Sequence, residues 1–280
     1  MINLIVHADD LGISEKVNEG ILYAHKNGIL TSASIMANGM AFRDAVKICK
    51  SNPTLDIGIH LTLVEEKPLL NPESIPNLVT EEGKFHQSAE QFIKKYLMRK
   101  ISREQVFLEL EAQMMEVFDQ GIVISHIDSH QHLHMLPQIL NIVVSIAEKY
   151  GIRIIRVPNE KPRWDMVIDS GFPFRLLQLL VLKWFCRKSN HLNFTKIKNF
   201  FGFSFSGIMN KANLLKILKR LPLTEISEIM CHPGFSDPKS PYIHWGYHWQ
   251  DELDALIDPD IKEFIAYNKI ELISFRKLAV

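Results

Sequence analysis

Short apolar runs alternate along the chain with stretches whose apolar residues recur at helical spacing. Asn3–Val6 predicts a first strand. Ser14 then caps a helix reaching about Asn27, with Val17, Ile21 and Ala24 on one face and Gly28 at its end. Ser32–Met36 predicts a second strand, Ala41–Ser51 a helix stopped before Pro53, and Ile57–Ile59 a third strand. Residues 65–87 hold several prolines and glycines without a period and predict a long loop. Ser102 opens a helix with Val106, Leu110, Met114 and Val117 on one stripe. Ile122–Ile127, Arg153–Val157, Ile226–Cys231 and Ile270–Ser274 predict further strands. Helices are expected from Pro137 to Tyr150, over Lys211–Leu221 and over 251–267.

This β-α alternation predicts a mainly parallel sheet covered by helices. No repeat, low-complexity tract or composition shift marks a linker. The expectation is one domain over 1–280, interrupted by an apolar insertion at about 158–209. Within it a helix is expected over Phe174–Arg187, followed by a Gly/Phe-rich piece, Phe200–Gly207. The helix has two readings. Leu177, Leu180, Val181 and Trp184 form either a core stripe or, across residues 172–185, a surface for a lipid-linked sugar or a homodimer partner.

Charge narrows the function classes. Lys+Arg and Asp+Glu are both 32, so the chain is formally neutral and lacks the basic excess of a nucleic-acid binder. Cys49, Cys186 and Cys231 are far apart, which indicates neither a disulfide framework nor a thiolate metal site. The N-terminus lacks a signal-peptide pattern. The most apolar segment, Leu176–Phe185, is about half the ~20 residues a membrane span needs. A cytoplasmic protein without a transmembrane segment is therefore expected.

The 12 histidines point to metal or proton chemistry, and strand ends sharpen the point. Sites on parallel sheets form at the carboxyl ends of strands. Here the first strand leads to Asp9 and Asp10, the third to His60, the fourth to His126, Asp128 and His130, and Ile226–Cys231 to His232. Two adjacent carboxylates repel, so one needs a cation beside it or must hold a proton. Asp10 is read as a metal ligand and Asp9 as a free base; the bland alternative is that Asp10 caps the next helix. His60 and His130 with Asp10 make a two-histidine, one-carboxylate site open to water. His126 is the rival for His130's place and a second-choice substrate contact. His132 and His134 are read as groups that orient the ligating imidazoles or as helix-entry residues. His232, fixed in Cys-His-Pro-Gly-Phe, suits a general acid. Arg156, at the end of the fifth strand, is read as a contact to sugar hydroxyls or a phosphate, or else as half of an ion pair.

Five segments carry a family resemblance: His-Ala-Asp-Asp-Leu-Gly-Ile-Ser (7–14), Thr-Ser-Ala-Ser-Ile-Met-Ala-Asn-Gly (31–39), Gly-Ile-His-Leu-Thr-Leu (58–63), His-Ile-Asp-Ser-His-Gln-His-Leu-His-Met-Leu-Pro (126–137) and Met-Cys-His-Pro-Gly-Phe (230–235). In these the chain resembles the YdjC-like carbohydrate deacetylases. The resemblance implies an α/β fold, a distorted β/α barrel of about seven parallel strands like that of polysaccharide deacetylases. It implies hydrolysis of an N-acetyl group from an amino sugar, in an N-acetylglucosamine-containing oligosaccharide or glycolipid. Asp9 matches the family's base, Asp10, His60 and His130 its metal ligands, and His232 its His-Pro motif near the active site. Magnesium is implied by the family, whereas two imidazoles favour zinc or another transition metal. His7 and Gln131 depart from common family residues. The long, apolar 160–205 region is similar to a branch associated with hopanoid lipid biosynthesis. Two rival functions are a different metal-dependent hydrolase, such as a phosphoesterase, and a non-catalytic sugar-binding protein.

Overall fold

A computed structural model describes residues 2–162 and 173–278. Its strands are β1 (Ile2–Leu11), β2 (Ser32–Ile35), β3 (Asp56–Leu61), β4 (His126–Ser129), β5 (Ile154–Ile155), β6 (Asn199–Phe201), β7 (Ile226–Cys231) and β8 (Ile270–Leu272). All pair in parallel, in the order β5-β4-β3-β2-β1-β7-β6, with β8 beside the start of β1. The sheet curls. Arg156, just past β5, reaches Asp9 of β1 at 2.8 Å and Glu228 of β7 at 2.7 Å across the interior. Near the two open edges, Thr195 exchanges backbone hydrogen bonds with Arg153 and Ile155 before the chain enters β6. The result is the expected distorted barrel of parallel strands.

Strand alternation sorts the residues of β1. Leu4, Val6 and Ala8 face outward into the main apolar core, shared with α1 (Glu15–Asn27) and the other helices. Ile5 faces inward, onto a small apolar floor with Ile154, Ile197, Ile273 and Phe275. Above that floor the interior is polar: His7 and Asp9 from β1, Ser32 and Ser34 from β2, His60 from β3, Asp128 from β4 and Glu228 from β7. Gly58 of β3 leaves room for His126, since a Cβ there would collide with the imidazole.

The helices form where periodicity and caps predict. Ser14 accepts the Val17 amide at the start of α1, which buries Val17, Ile21 and Ala24. Each such side chain, fully buried, contributes about 1.5–3 kcal/mol if it is Val, Leu or Ile. The other helices are α2 (Phe42–Ser51), α3 (Ala89–Leu97), α4 (Arg103–Asp119), α5 (Pro137–Lys149), α6 (Pro173–Lys188), α7 (Lys211–Leu218), α8 (Trp249–Ile257) and α9 (Pro259–Tyr267). In α4, Val106, Leu110, Met114 and Val117 are buried as expected.

Several expectations shift. β4 begins at His126, not Ile122; Ile122 and Ile124 are buried but outside the ladder. The 251–267 stretch is two helices, because Pro259 opens a new one that Asp258 caps through Asp260 and Ile261. α3 and β6 escape the periodicity reading. Of the 158–209 insertion, α6 appears where expected, while residues 163–172 lie outside the described residues.

Candidate active site

The Asp9-Asp10 pair sits in an irregularity of β1. Against β2 the register runs His7↔Ser32 and Ala8↔Ala33, then jumps to Leu11↔Ile35, so one extra residue bulges from the ladder. Asp10 takes φ 65, a left-handed conformation unusual for a side-chain-bearing residue. The bulge gives both adjacent carboxylates access to the same interior. This happens within the strand rather than beyond its end.

Asp10 joins His60 and His130. Its Oδ1 lies 3.3 Å from His60 Nε2 and 3.1 Å from His130 Nδ1, and all three residues are buried. One ligand atom from each lies within 4.8 Å of the others. The donor set fits a divalent ion on two observations. His60 Nε2 and Asp10 Oδ2 are buried without a hydrogen-bond partner, a costly arrangement unless something binds there. Each imidazole also presents its other nitrogen to a carboxylate: His60 Nδ1 to Asp128 at 2.8 Å, His130 Nε2 to Glu65 at 2.7 Å. In the protein alone these anions govern the rings. Burial opposes charge on His60, but the nearby Asp128 and Asp10 carboxylates outweigh it and lift its pKa to about 10. Burial likewise opposes charge on His130, and Asp10 and Glu65 carry it to about 9. Against its own desolvation, Asp10 is held well below the usual carboxylate range by the same two imidazoles.

Asp9 faces the cavity from beside this group. Arg156 Nη1 lies 2.8 Å from Asp9, 3.0 Å from Asp128, and its Nε 2.7 Å from Glu228. Burial raises the Asp9 pKa to about 7, with Arg156 pulling down and Asp128 pushing up. Asp128 goes the other way, below its usual range, because Arg156 and His60 outweigh burial. His232 follows β7, its backbone N–H donating to Glu252 at 2.5 Å and its ring 4.8 Å from that of Tyr247. Burial lowers its pKa to about 4.

Three expectations are corrected in place. Arg156 is fully buried among three carboxylates and does not line the cavity, so it is the ion-pair alternative rather than a sugar contact. His126 lies deeper, bonded to Ser125 and stacked on Phe275 at 3.7 Å, away from both cavity and Asp10. It therefore stands outside the Asp10–His60–His130 group and off the cavity lining. His132 and His134 make no hydrogen bond to His60 or His130. His134 instead ties Ser129 to the Arg156 carbonyl, steadying the turn that carries His130, and His132 packs on Phe200 and Phe203 in the cavity wall.

Other participants were not anticipated. His7 bridges Ser32 and Ser34 and lies 3.2 Å from Asp128. Glu65 touches His130, and its signal was available: a Glu-Glu pair just past a strand end, the same kind of cue as Asp9-Asp10. Tyr247 and Arg175 line the cavity with no sequence cue. The cavity measures about 460 Å³ and is lined by Asp9, His60, His130 and His232 together with Ile93, Leu136, Val181, Leu182 and Phe185.

Comparisons with known proteins place the chain among described relatives. A "Carbohydrate deacetylase" of Geobacillus stearothermophilus is 31% identical over 274 residues, covering 98% of this chain and 96% of the relative. A protein of the same description from Brevibacillus brevis is 32% identical over 277 residues, covering 98% and 99%. A crystal structure from Enterococcus faecalis V583, of a candidate cellobiose-phosphate cleavage protein, superposes with TM-score 0.75 at 26% identity, over 100% of this chain and 99% of that one. A family described as YdjC-like protein matches residues 3–267, and the chain belongs to that family.

Proposed function

We propose that this protein is a metal-dependent carbohydrate deacetylase that hydrolyses the N-acetyl group of an amino sugar. The observation that carries the reading is the pairing of an Asp10–His60–His130 donor set with a separate carboxylate, Asp9, on the same cavity. A divalent ion held by the three donors would supply Lewis acidity, lowering the pKa of a water and favouring negative charge on the attacked carbonyl oxygen. Magnesium follows from the family and zinc from the imidazoles.

The remaining chemistry belongs to side chains. Amide hydrolysis forms a C–O bond from water, breaks the C–N bond and leaves acetate and an amine. A base must take a proton from water and an acid must give one to the departing nitrogen. Asp9, with a pKa near 7, is matched to the first task at neutral pH. Arg156 holds it in place from behind. His232 faces the same cavity and is proposed as the acid. Its low pKa leaves it neutral before reaction, so the proton it gives to the departing nitrogen must first be passed to it, either the one Asp9 takes from water or one from solvent, as negative charge develops beside it. A phosphoesterase with two metals is disfavoured because Arg156 already occupies the space between Asp9 and Asp128.

The cavity's apolar wall supports the glycolipid side of the substrate expectation. Leu177, Val181 and Leu182 of α6 line it, and these pack against alkyl chains but offer no hydrogen bond to sugar hydroxyls. The site is proposed to lie on a single barrel unit, with the 158–209 insertion supplying that wall.

The test is acetate release from N-acetylglucosamine oligomers and alkyl N-acetylglucosaminides, using chelated enzyme and enzyme resupplied with magnesium or zinc. Activity is expected only with metal. Asp9→Asn should abolish release while leaving metal binding nearly intact. No acetate from any of these substrates would sink the deacetylase reading, and an active Asp9→Asn protein would sink the role of Asp9.

A further inference from the structure

We infer that Glu65 is the positioning residue of the Asp10–His60–His130 centre and sets which nitrogen of His130 faces Asp10. The inference rests on the metal-centre reading above. A ligating imidazole must offer a lone pair, and its one remaining proton must sit on the other nitrogen. An ionised carboxylate only accepts hydrogen bonds. With Glu65 Oε2 2.7 Å from His130 Nε2, the proton belongs on Nε2, and the Nδ1 lone pair is left toward Asp10 at 3.1 Å. His60 follows the same rule through opposite atoms. Asp128 takes the Nδ1 proton at 2.8 Å and leaves Nε2 facing Asp10. Two carboxylates from different elements thus turn two rings toward one point.

The backbone shows that Glu65 is held for this purpose. It has φ 68, although it is not glycine. Of the six described non-glycine residues with positive φ, four are Asp10, Glu65, Gln131 and His132, all at or beside the centre. The Glu65 amide donates to the His86 carbonyl at 2.8 Å. Its neighbour Glu66 accepts the Tyr242 hydroxyl at 2.7 Å, and Tyr242 packs on Trp245, whose ring lies 5.1 Å from that of His130. The Glu65 backbone is therefore held by His86, and the neighbouring Glu66–Tyr242–Trp245 contacts lie against the same His130 ring.

Cobalt(II) titration of the metal-free full chain, followed by its visible absorption, tests the inference in wild type, Glu65→Gln and Glu65→Ala. Glu65→Ala should bind cobalt about 10–100-fold more weakly. Glu65→Gln should recover most of that loss, because its amide oxygen still accepts the Nε2 proton. In zinc-loaded, ¹⁵N-histidine-labelled wild type, His130 should show a protonated Nε2 and a zinc-bound Nδ1, a signature that a merely structural contact would not set. Wild-type cobalt affinity in Glu65→Ala, or a His130 that carries its proton on Nδ1, overturns the role of Glu65. If Glu65→Ala does not fold, the nitrogen spectra of wild type and Glu65→Gln decide alone. A wild-type protein that binds no cobalt overturns the metal centre itself, which separates the two failures.

Discussion

Arg156 bears more of the site's electrostatics than its place after a two-residue strand suggests. It is wholly buried and meets Asp9, Asp128 and Glu228. Without it, three carboxylates would share a low-dielectric interior with no guanidinium between them. Removing one partner of a buried ion pair costs about 3–5 kcal/mol, far more than a surface pair is worth. Arg156→Met should therefore lower stability by about that amount in urea unfolding. The Asp9 pKa should also rise, since Arg156 is the group pulling it down. Deacetylation at neutral pH should then fall even in molecules that remain folded, and should recover as the pH is raised. Unchanged unfolding and an unchanged pH profile would contradict this. The same residue marks how far sequence reached. A strand-end argument locates a rim but not a depth, so Asp10, His60 and His130 were legible while Arg156 and His126 were assigned too near the surface. Their depth follows from two-residue alternation along β4 and β5, which places His126 and Arg156 inside the barrel.

Among elements, α1 does more than cover the sheet. Its Gly20 meets the backbone of Gly234, in the turn that carries His232, so closely that a Cβ would collide with it. That turn is also tied to α1 by the Phe235 amide donating to the Lys16 carbonyl at 3.0 Å, and to α8 by the Gly234 amide donating to Trp249 at 3.1 Å. Gly20→Ala forces a methyl group against the Gly234 backbone, and overpacking of this kind costs about 1–3 kcal/mol. The expected result is a lower urea midpoint together with a reduced kcat, because the displaced turn moves His232. Reduced stability with an unaltered kcat would show that the turn yields without moving the imidazole. Elements were legible where burial and regular pattern coincide, as in α1 and α4. They were illegible where the buried face is polar. β4 reads His-Ile-Asp-Ser, so hydrophobic pattern points to the apolar run ahead of it instead. α3 buries only Phe92 fully and has too narrow a stripe to announce itself.

At the scale of the whole molecule, the chemistry and the apolar wall share one cavity, and this arrangement predicts a preference. Leu177 and Val181 line the cavity and are also 57% and 46% exposed, so α6 continues the wall out to the surface. Trp184, 53% exposed, and Lys188, 5.3 Å from the Trp184 ring, extend this face along the helix. No helix among the described residues is long and apolar enough to cross a membrane. An alkyl aglycone attached to N-acetylglucosamine would lie along α6 while its acetamide reaches Asp9. Each methylene taken from water is worth about 0.8 kcal/mol, so even two or three buried methylenes lower KM by about ten- to fiftyfold. Octyl N-acetylglucosaminide should thus show a KM below that of the free sugar, with kcat little changed, because the tail is remote from the reacting bond. Val181→Asp should raise KM for the octyl compound and leave the free sugar unaffected. Equal KM values for the two substrates in wild type would assign the apolar wall to packing alone and return the substrate to an unlipidated oligosaccharide.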